Sequence, residues 1–162
     1  MKRKAAEKLF ELVYTDAMTS VYNRNAYEEH LEKLRRKNTR LDNITVVGIQ
    51  IDYLNDINNN FGNRVGDEAV KLMANCILQT VGEKSNVYRM GASEFLCISE
   101  SDVNPYISEL RDLISFEERN KEYPFRAVIG YIKFDNKKHK CIDDIIKDCD
   151  RKMLKMRKID VW

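Results

Sequence analysis

The residues of this chain that could do chemistry gather in two places. The first follows an apolar, β-branched run from Ile44 to Ile51. There Asn55, Asn58, Asn59, Asn60, Gly62 and Asn63 make a polar, turn-prone stretch, and a helical pattern begins at Val65. A strand end, a polar loop and a helix start form a common ligand corner, because the free N–H groups of a helix start favour anions. The second place is Gly91-Ala92-Ser93, short enough to turn a hairpin between the strand-like segments Val87 to Met90 and Phe95 to Ser99. Thiol and imidazole chemistry is poorly supported. Cys76, Cys97, Cys141 and Cys149 contain no C-x-x-C pair, and His30 and His139 stand apart from them and from each other. Reduced thiols in a cytoplasmic protein fit this usage.

The elements that must position these places read as one α/β (α+β) unit. A chain of 162 residues with 43% hydrophobic content can bury a single core. Lys plus Arg number 28 against 26 for Asp plus Glu, and a net charge of +2 gives no field that argues for nucleic acid. The basic start Met1-Lys2-Arg3-Lys4 is not followed by an apolar core, and no stretch reaches the ~20 apolar residues of a membrane span. Ala5, Ala6, Leu9, Leu12 and Val13 predict an amphipathic helix, so residues 1–15 are expected to be a signalling or linker helix ahead of one domain over 16–162. Further helices are predicted from about Arg24 to Lys37, from Val65 to Val81, after Asn104 as cap with Pro105 in its first position, and from Ile142 to Met156. Phe125 to Phe134 reads as another strand, and Asn136 to Lys140 as a solvated loop. This order predicts a mixed sheet flanked by helices.

Asp16-Ala17-Met18-Thr19-Ser20-Val21-Tyr22-Asn23-Arg24 resembles the D-x-L-T-x-L-x-N-R signature that opens GGDEF domains, the diguanylate cyclase family. Ile51 to Glu68 is similar to that family's D-x-D-x-F-K-x-I-N-D-x-x-G-H-x-x-G-D segment at the same spacing, and Gly91-Ala92-Ser93-Glu94-Phe95 occupies the place of the G-G-D/E-E-F turn. Ile129-Gly130 and Asp150 to Arg157 are similar to the later S-I-G strand and A-D-x-A-L-Y-x-A-K helix, so the resemblance runs from Asp16 to Arg157. It implies a ferredoxin-like core related to nucleotidyl cyclase and polymerase palm domains, with a central mixed five-stranded sheet. It also implies a bacterial signalling role: active members join two GTP molecules into cyclic di-GMP across a transient homodimer, with metal help.

In the family, the first Asp of D-x-D and the third residue of the turn ligate the metal, and here those positions hold Gln50 and Ser93. Mg²⁺ favours charged oxygen ligands, and an amide and a hydroxyl are poor replacements. Losing the metal's contribution should cost roughly a thousandfold or more in rate. Asp52 and Glu94 remain and could hold a weakened metal, with Glu94 also the remaining catalytic candidate. Ala92 places a Cβ where backbone should approach phosphates and would be strained if the turn needs a positive φ. Asn55 replaces a phosphate-side lysine. On the base side, Asn58 and Asp67 match the family's guanine-reading positions, and a carboxylate there can accept from guanine N1–H, which adenine lacks. Gly91 and Arg157 complete the implied nucleotide contacts. The family's product-inhibition R-x-x-D would fall at Gly82 and Ser85, so feedback by cyclic di-GMP at that position is not expected. The leading expectation is therefore an inactive GGDEF domain that binds GTP or another guanine nucleotide as a regulatory or interaction module, with Mg²⁺ needed only if turnover survives. The alternatives are an active or weakly active diguanylate cyclase, and a dimerisation scaffold without nucleotide. The expected location is the cytoplasm, alone or as the cytoplasmic part of a larger signalling protein.

Overall fold

The computed structural model describes residues 1–36 and 40–159. The elements run α1 (Lys2–Tyr14), α2 (Arg24–Arg36), β1 (Thr45–Ile51), α3 (Leu54–Phe61), α4 (Asn63–Gln79), a 3-10 turn (Val81–Lys84), β2 (Asn86–Arg89), β3 (Glu94–Ser99), α5 (Asn104–Glu118), β4 (Ala127–Lys133) and α6 (Ile142–Ile159). The predicted last residue of α2, Lys37, lies outside the described residues.

The four strands form one sheet in the order β2-β3-β1-β4, every neighbour antiparallel. This is the expected ferredoxin-like core with helices on both faces, but among the described residues the sheet has four strands, all antiparallel, rather than a mixed set of five. Beside β2 the pairing continues only as an isolated bridge. Tyr22 bridges Tyr88 in parallel, donating its N–H to the Val87 carbonyl at 3.0 Å and accepting from Arg89 N–H at 2.8 Å. The chain cannot extend the pairing on either side. Ser20 turns it with φ 63, and Asn23 leaves to cap α2 through an Oδ1 contact with the Ala26 N–H.

Strand alternation splits the core between the two faces. Val47, Ile49 and Ile51 pack with α4 and α5, whereas Val46 packs with α2 and α6. A central strand covered on both sides needs the nearly continuous apolar run seen in β1. Gly48 faces Gly130 across the β1–β4 pair, and Met153 of α6 lies directly over both, 3.0 Å and 2.9 Å from where their Cβ atoms would stand. Two missing side chains let α6 settle close to the sheet. One turn later, α6 carries Arg157.

The Asn-rich stretch after β1 folds as helix α3 rather than as a loop. Asparagine favours turns, but Leu54, Ile57 and Phe61 fall on one helical face. Ile57 is fully buried, Leu54 packs against the main core, and the Phe61 ring meets Tyr123 at 5.9 Å. Burial outweighs propensity here. The start of α5 also differs from expectation. Asn104 is already helical, and the Asp102 carboxylate accepts its N–H at 3.0 Å. Among the described residues, no helix is long and apolar enough to cross a membrane.

Gly62 joins α3 to α4 with φ 94 and ψ 158, a conformation essentially restricted to glycine. Gly62→Ala should lower the unfolding free energy by about 1–3 kcal/mol in urea denaturation. Gly91→Ala, whose Cβ would meet nothing closer than 3.7 Å, should change it by about 0.5 kcal/mol or less.

Candidate functional site

The 91–93 turn is held from behind. Arg89, at the end of β2, donates to the carbonyls of Gly91 at 3.2 Å and Ala92 at 3.0 Å. The same guanidinium reaches the Asp16 carboxylate at 3.2 Å, with only 14% and 22% of the two side chains exposed. Asp16 also accepts from Thr19, from the backbone N–H at 2.9 Å and the hydroxyl at 2.7 Å. Arg24 donates to the Met90 carbonyl at 3.3 Å. The Asp16 to Arg24 signature therefore braces the hairpin. Sequence reasoning missed this role because Asp16 and Arg89 lie 73 residues apart. Only the Asp16–Thr19 turn was locally legible.

The strand register brings positions 50 and 94 together. Gln50 and Glu94 are opposite each other in β1 and β3, and the Ser93 carbonyl accepts the Ile51 N–H at 2.9 Å. Side chains directly opposite share one face of the sheet. Gln50 Nε2 reaches the Ser93 hydroxyl at 3.5 Å, while Gln50 Oε1 is buried with no hydrogen-bond partner among the described residues. An orphaned acceptor of this kind costs about 1–3 kcal/mol.

The remaining carboxylates lie beside arginines. Glu94 lies 3.6 Å from Arg157 Nη2. Burial, helped by the Glu94 charge and opposed by Arg157, pushes the Asp150 carboxyl above its ordinary range. The Asp52 N–H donates to the Arg126 carbonyl at 2.9 Å. Arg126 is held charged chiefly by its hydrogen bond to Glu118, and the Asp52 charge adds to this. Gln50 and Ser93 thus meet as an amide and a hydroxyl, with Glu94 opposite Gln50 paired to Arg157, and no group of three or more His, Cys, Asp or Glu side chains among the described residues could hold a metal ion. This donor set does not fit Mg²⁺.

At the other end of the corner, α3 packs on α4 so that Asn58 covers Gly66. A Cβ on Gly66 would lie 1.6 Å from Asn58 Oδ1. Asp67 follows as the fifth residue of α4, past its first turn, and is exposed, and Asn55 is exposed on the first turn of α3. The structure brings Asn58 against the residue preceding Asp67, and Glu94 beside Arg157. The expected strain at Ala92 does not arise. Neither Gly91 nor Ala92 is among the positive-φ residues, and the turn closes without the left-handed region. Tyr53 does use it, with φ 60 and ψ 22 at the start of α3. Nothing in the sequence pattern marked that residue.

The chain belongs to the family described as "Diguanylate cyclase, GGDEF domain", which matches residues 13–160. It is 38% identical over 90 residues to the probable diguanylate cyclase DgcF of Escherichia coli K12, covering 56% of this chain and 28% of that one. It is 32% identical over 128 residues to the diguanylate cyclase DgcP of the same organism, covering 74% and 35%. The chain thus spans well under half the length of these relatives. Among solved structures, the coiled coil and GGDEF domain of DgcB from Caulobacter crescentus in complex with c-di-GMP matches with a TM-score of 0.78 and 16% identity, covering 96% of this chain and 86% of that one. The GGDEF domain of FimX from Pseudomonas aeruginosa matches with a TM-score of 0.70 and 19% identity, covering 90% and 94%. At such identities the likeness establishes the fold, while the family is carried by the sequence match.

Partial burial pushes the Asp16 carboxyl up, but the Thr19 hydrogen bonds and the Arg89 charge outweigh it and hold the group below its ordinary value of 3.8. A depressed folded-state pKa contributes stability above the unfolded value and loses it as pH falls through the folded one. Asp16→Asn should therefore cost about 1–2 kcal/mol at pH 7. The gap between mutant and wild type should narrow below about pH 4, as read from urea melts across pH.

Proposed function

We propose that this GGDEF domain binds a guanine nucleotide without efficient turnover and serves as a regulatory or interaction module in cyclic di-GMP signalling. One observation carries the reading: Gln50 and Ser93 meet each other where two carboxylates would be required, and the nearest remaining one, Glu94, faces Arg157. Without carboxylates at positions 50 and 93 the site lacks the means to hold Mg²⁺ against its hydration. The attacking hydroxyl then loses its activation, and the phosphates lose their neutralising charge. The base end keeps what guanine needs. Asp67 is exposed on α4 and its carboxylate offers only acceptors, and Asn58 is seated against the neighbouring Gly66, which has no Cβ to displace it.

A second reading, pairing through the N-terminal segment, is favoured by α1. No residue of that helix is buried, and Leu9, Phe10, Leu12 and Val13 are 40–72% exposed. In this reading residues 1–15 form a linker helix that joins a second copy or an upstream signalling domain, leaving 16–162 as the nucleotide-binding unit.

With GTP and either Mg²⁺ or Mn²⁺, the purified chain should form no cyclic di-GMP above background. The double variant Gln50→Asp, Ser93→Asp should raise synthesis at least roughly tenfold, one decade of the loss assigned to the metal. Substantial synthesis by the unmodified chain would refute inactivity. GTP should raise the melting temperature more than ATP does. Gly66→Ala, which must displace Asn58, should remove that preference while the protein remains folded by circular dichroism.

A further inference from the structure

We propose that the phosphate tail of the nucleotide is received by arginines in place of a divalent cation, in a cleft at the open edge of β4. The inference rests on the guanine-nucleotide reading above. The cleft has a volume of ≈ 650 Å³, and Arg111 of α5, Arg126 before β4 and Arg157 of α6 line it, together with Asp52, Tyr53 and Glu118. Three guanidinium groups therefore face two carboxylates.

These cations are only partly spent. Arg126 gives its Nε–H to Glu118 at 2.7 Å, and Arg111 gives one N–H to the Ile129 carbonyl at 3.2 Å. A guanidinium carries five N–H groups, so both keep donors to offer. Arg157 is the least satisfied. Its Nε is buried with no hydrogen-bond partner among the described residues, and its 3.6 Å approach to Glu94 is an ion pair longer than a hydrogen bond. A buried unpaired donor is costly unless a ligand completes it.

The cleft is joined through the chain to the element that carries the base-reading candidate. Asp52 and Tyr53 lie in its wall and lead directly into α3, which carries Asn58. No side chain caps the first turn of α3, so its N-terminal end adds positive potential on the same side. Tyr53 stands there 49% exposed in the left-handed region. That conformation is costly for a bulky residue and concentrates at ligand clamps. Arginine suits the task because it stays charged and binds phosphate oxygens in pairs. The two neutral residues that spoil the cation site thus coexist with fixed positive charge a short distance away.

The test is calorimetric titration of the intact chain in EDTA with GTP, ATP, guanosine and inorganic tripolyphosphate. Tripolyphosphate and GTP should both bind without divalent ion, and both should weaken as salt is raised. Arg126→Gln, at a side chain 61% exposed and therefore safe for folding, and Arg157→Gln should each weaken both ligands roughly tenfold. Asp67→Ala should weaken GTP but leave tripolyphosphate unchanged. Failure of tripolyphosphate to bind in EDTA, or binding indifferent to both arginine variants, overturns the cleft. GTP binding that appears only with Mg²⁺ also overturns it, while leaving the guanine reading intact. Tripolyphosphate binding with no preference for GTP over ATP sinks the guanine reading and leaves the cleft standing.

Discussion

The structure depends on the antiparallel register between β1 and β3. By pairing Gln50 with Glu94 and tying the Ile51 N–H to the Ser93 carbonyl, the register brings the end of the central strand and the start of the hairpin strand to one point. A slip of one residue would send each of these side chains to the opposite face. Both neighbours of β1 resist such a slip. Its odd-numbered residues from Val47 to Ile51 fill the α4–α5 core, and the Gly48–Gly130 pair on the other face accepts Met153. Packing thus places whichever residues stand at positions 50 and 93 in contact, whether or not they are suited to chemistry.

Three further contacts convert that register into a shaped site. The Asp16–Arg89 pair supports the turn from below, so the turn keeps its form with alanine at position 92. The close approach of α6 delivers Arg157 to Glu94. The seating of Asn58 on Gly66 fixes α3 against α4. The scaffold is therefore intact around an altered centre. Any change of chemistry at positions 50 and 93 is therefore separate from the fold, since the strand register is kept where Gln50 and Ser93 meet.

Much of this was legible in the sequence, and the parts that were not share a cause. The apolar run of β1, the hairpin around Gly91 and the long amphipathic helices follow from periodicity, and the ordered motifs placed the chain in its family. Helix α3 was hidden because five asparagines in and around it signal turns, whereas its two inward residues, Leu54 and Ile57, act only through tertiary burial. The strand count of five came from the resemblance and not from a fifth apolar run in the chain, while the bridge at Tyr22 stays short because Ser20 and Asn23 turn the chain on either side of it. At the site, residue identities alone marked Gln50 and Ser93. They could not reveal that Arg89 supports the turn, that Glu94 turns to Arg157, or that Arg111 and Arg126 share a cleft, since each is a contact between distant segments.

The central claim is that this pocket cannot coordinate a divalent ion through its own side chains. Electron paramagnetic resonance of Mn²⁺ titrated into the GTP-loaded chain measures this directly. The account predicts that Mn²⁺ binds with the affinity of free GTP and that its signal is unaffected by Glu94→Gln or Asp52→Asn. A protein-dependent Mn²⁺ site much tighter than free nucleotide, weakened by either substitution, would contradict it.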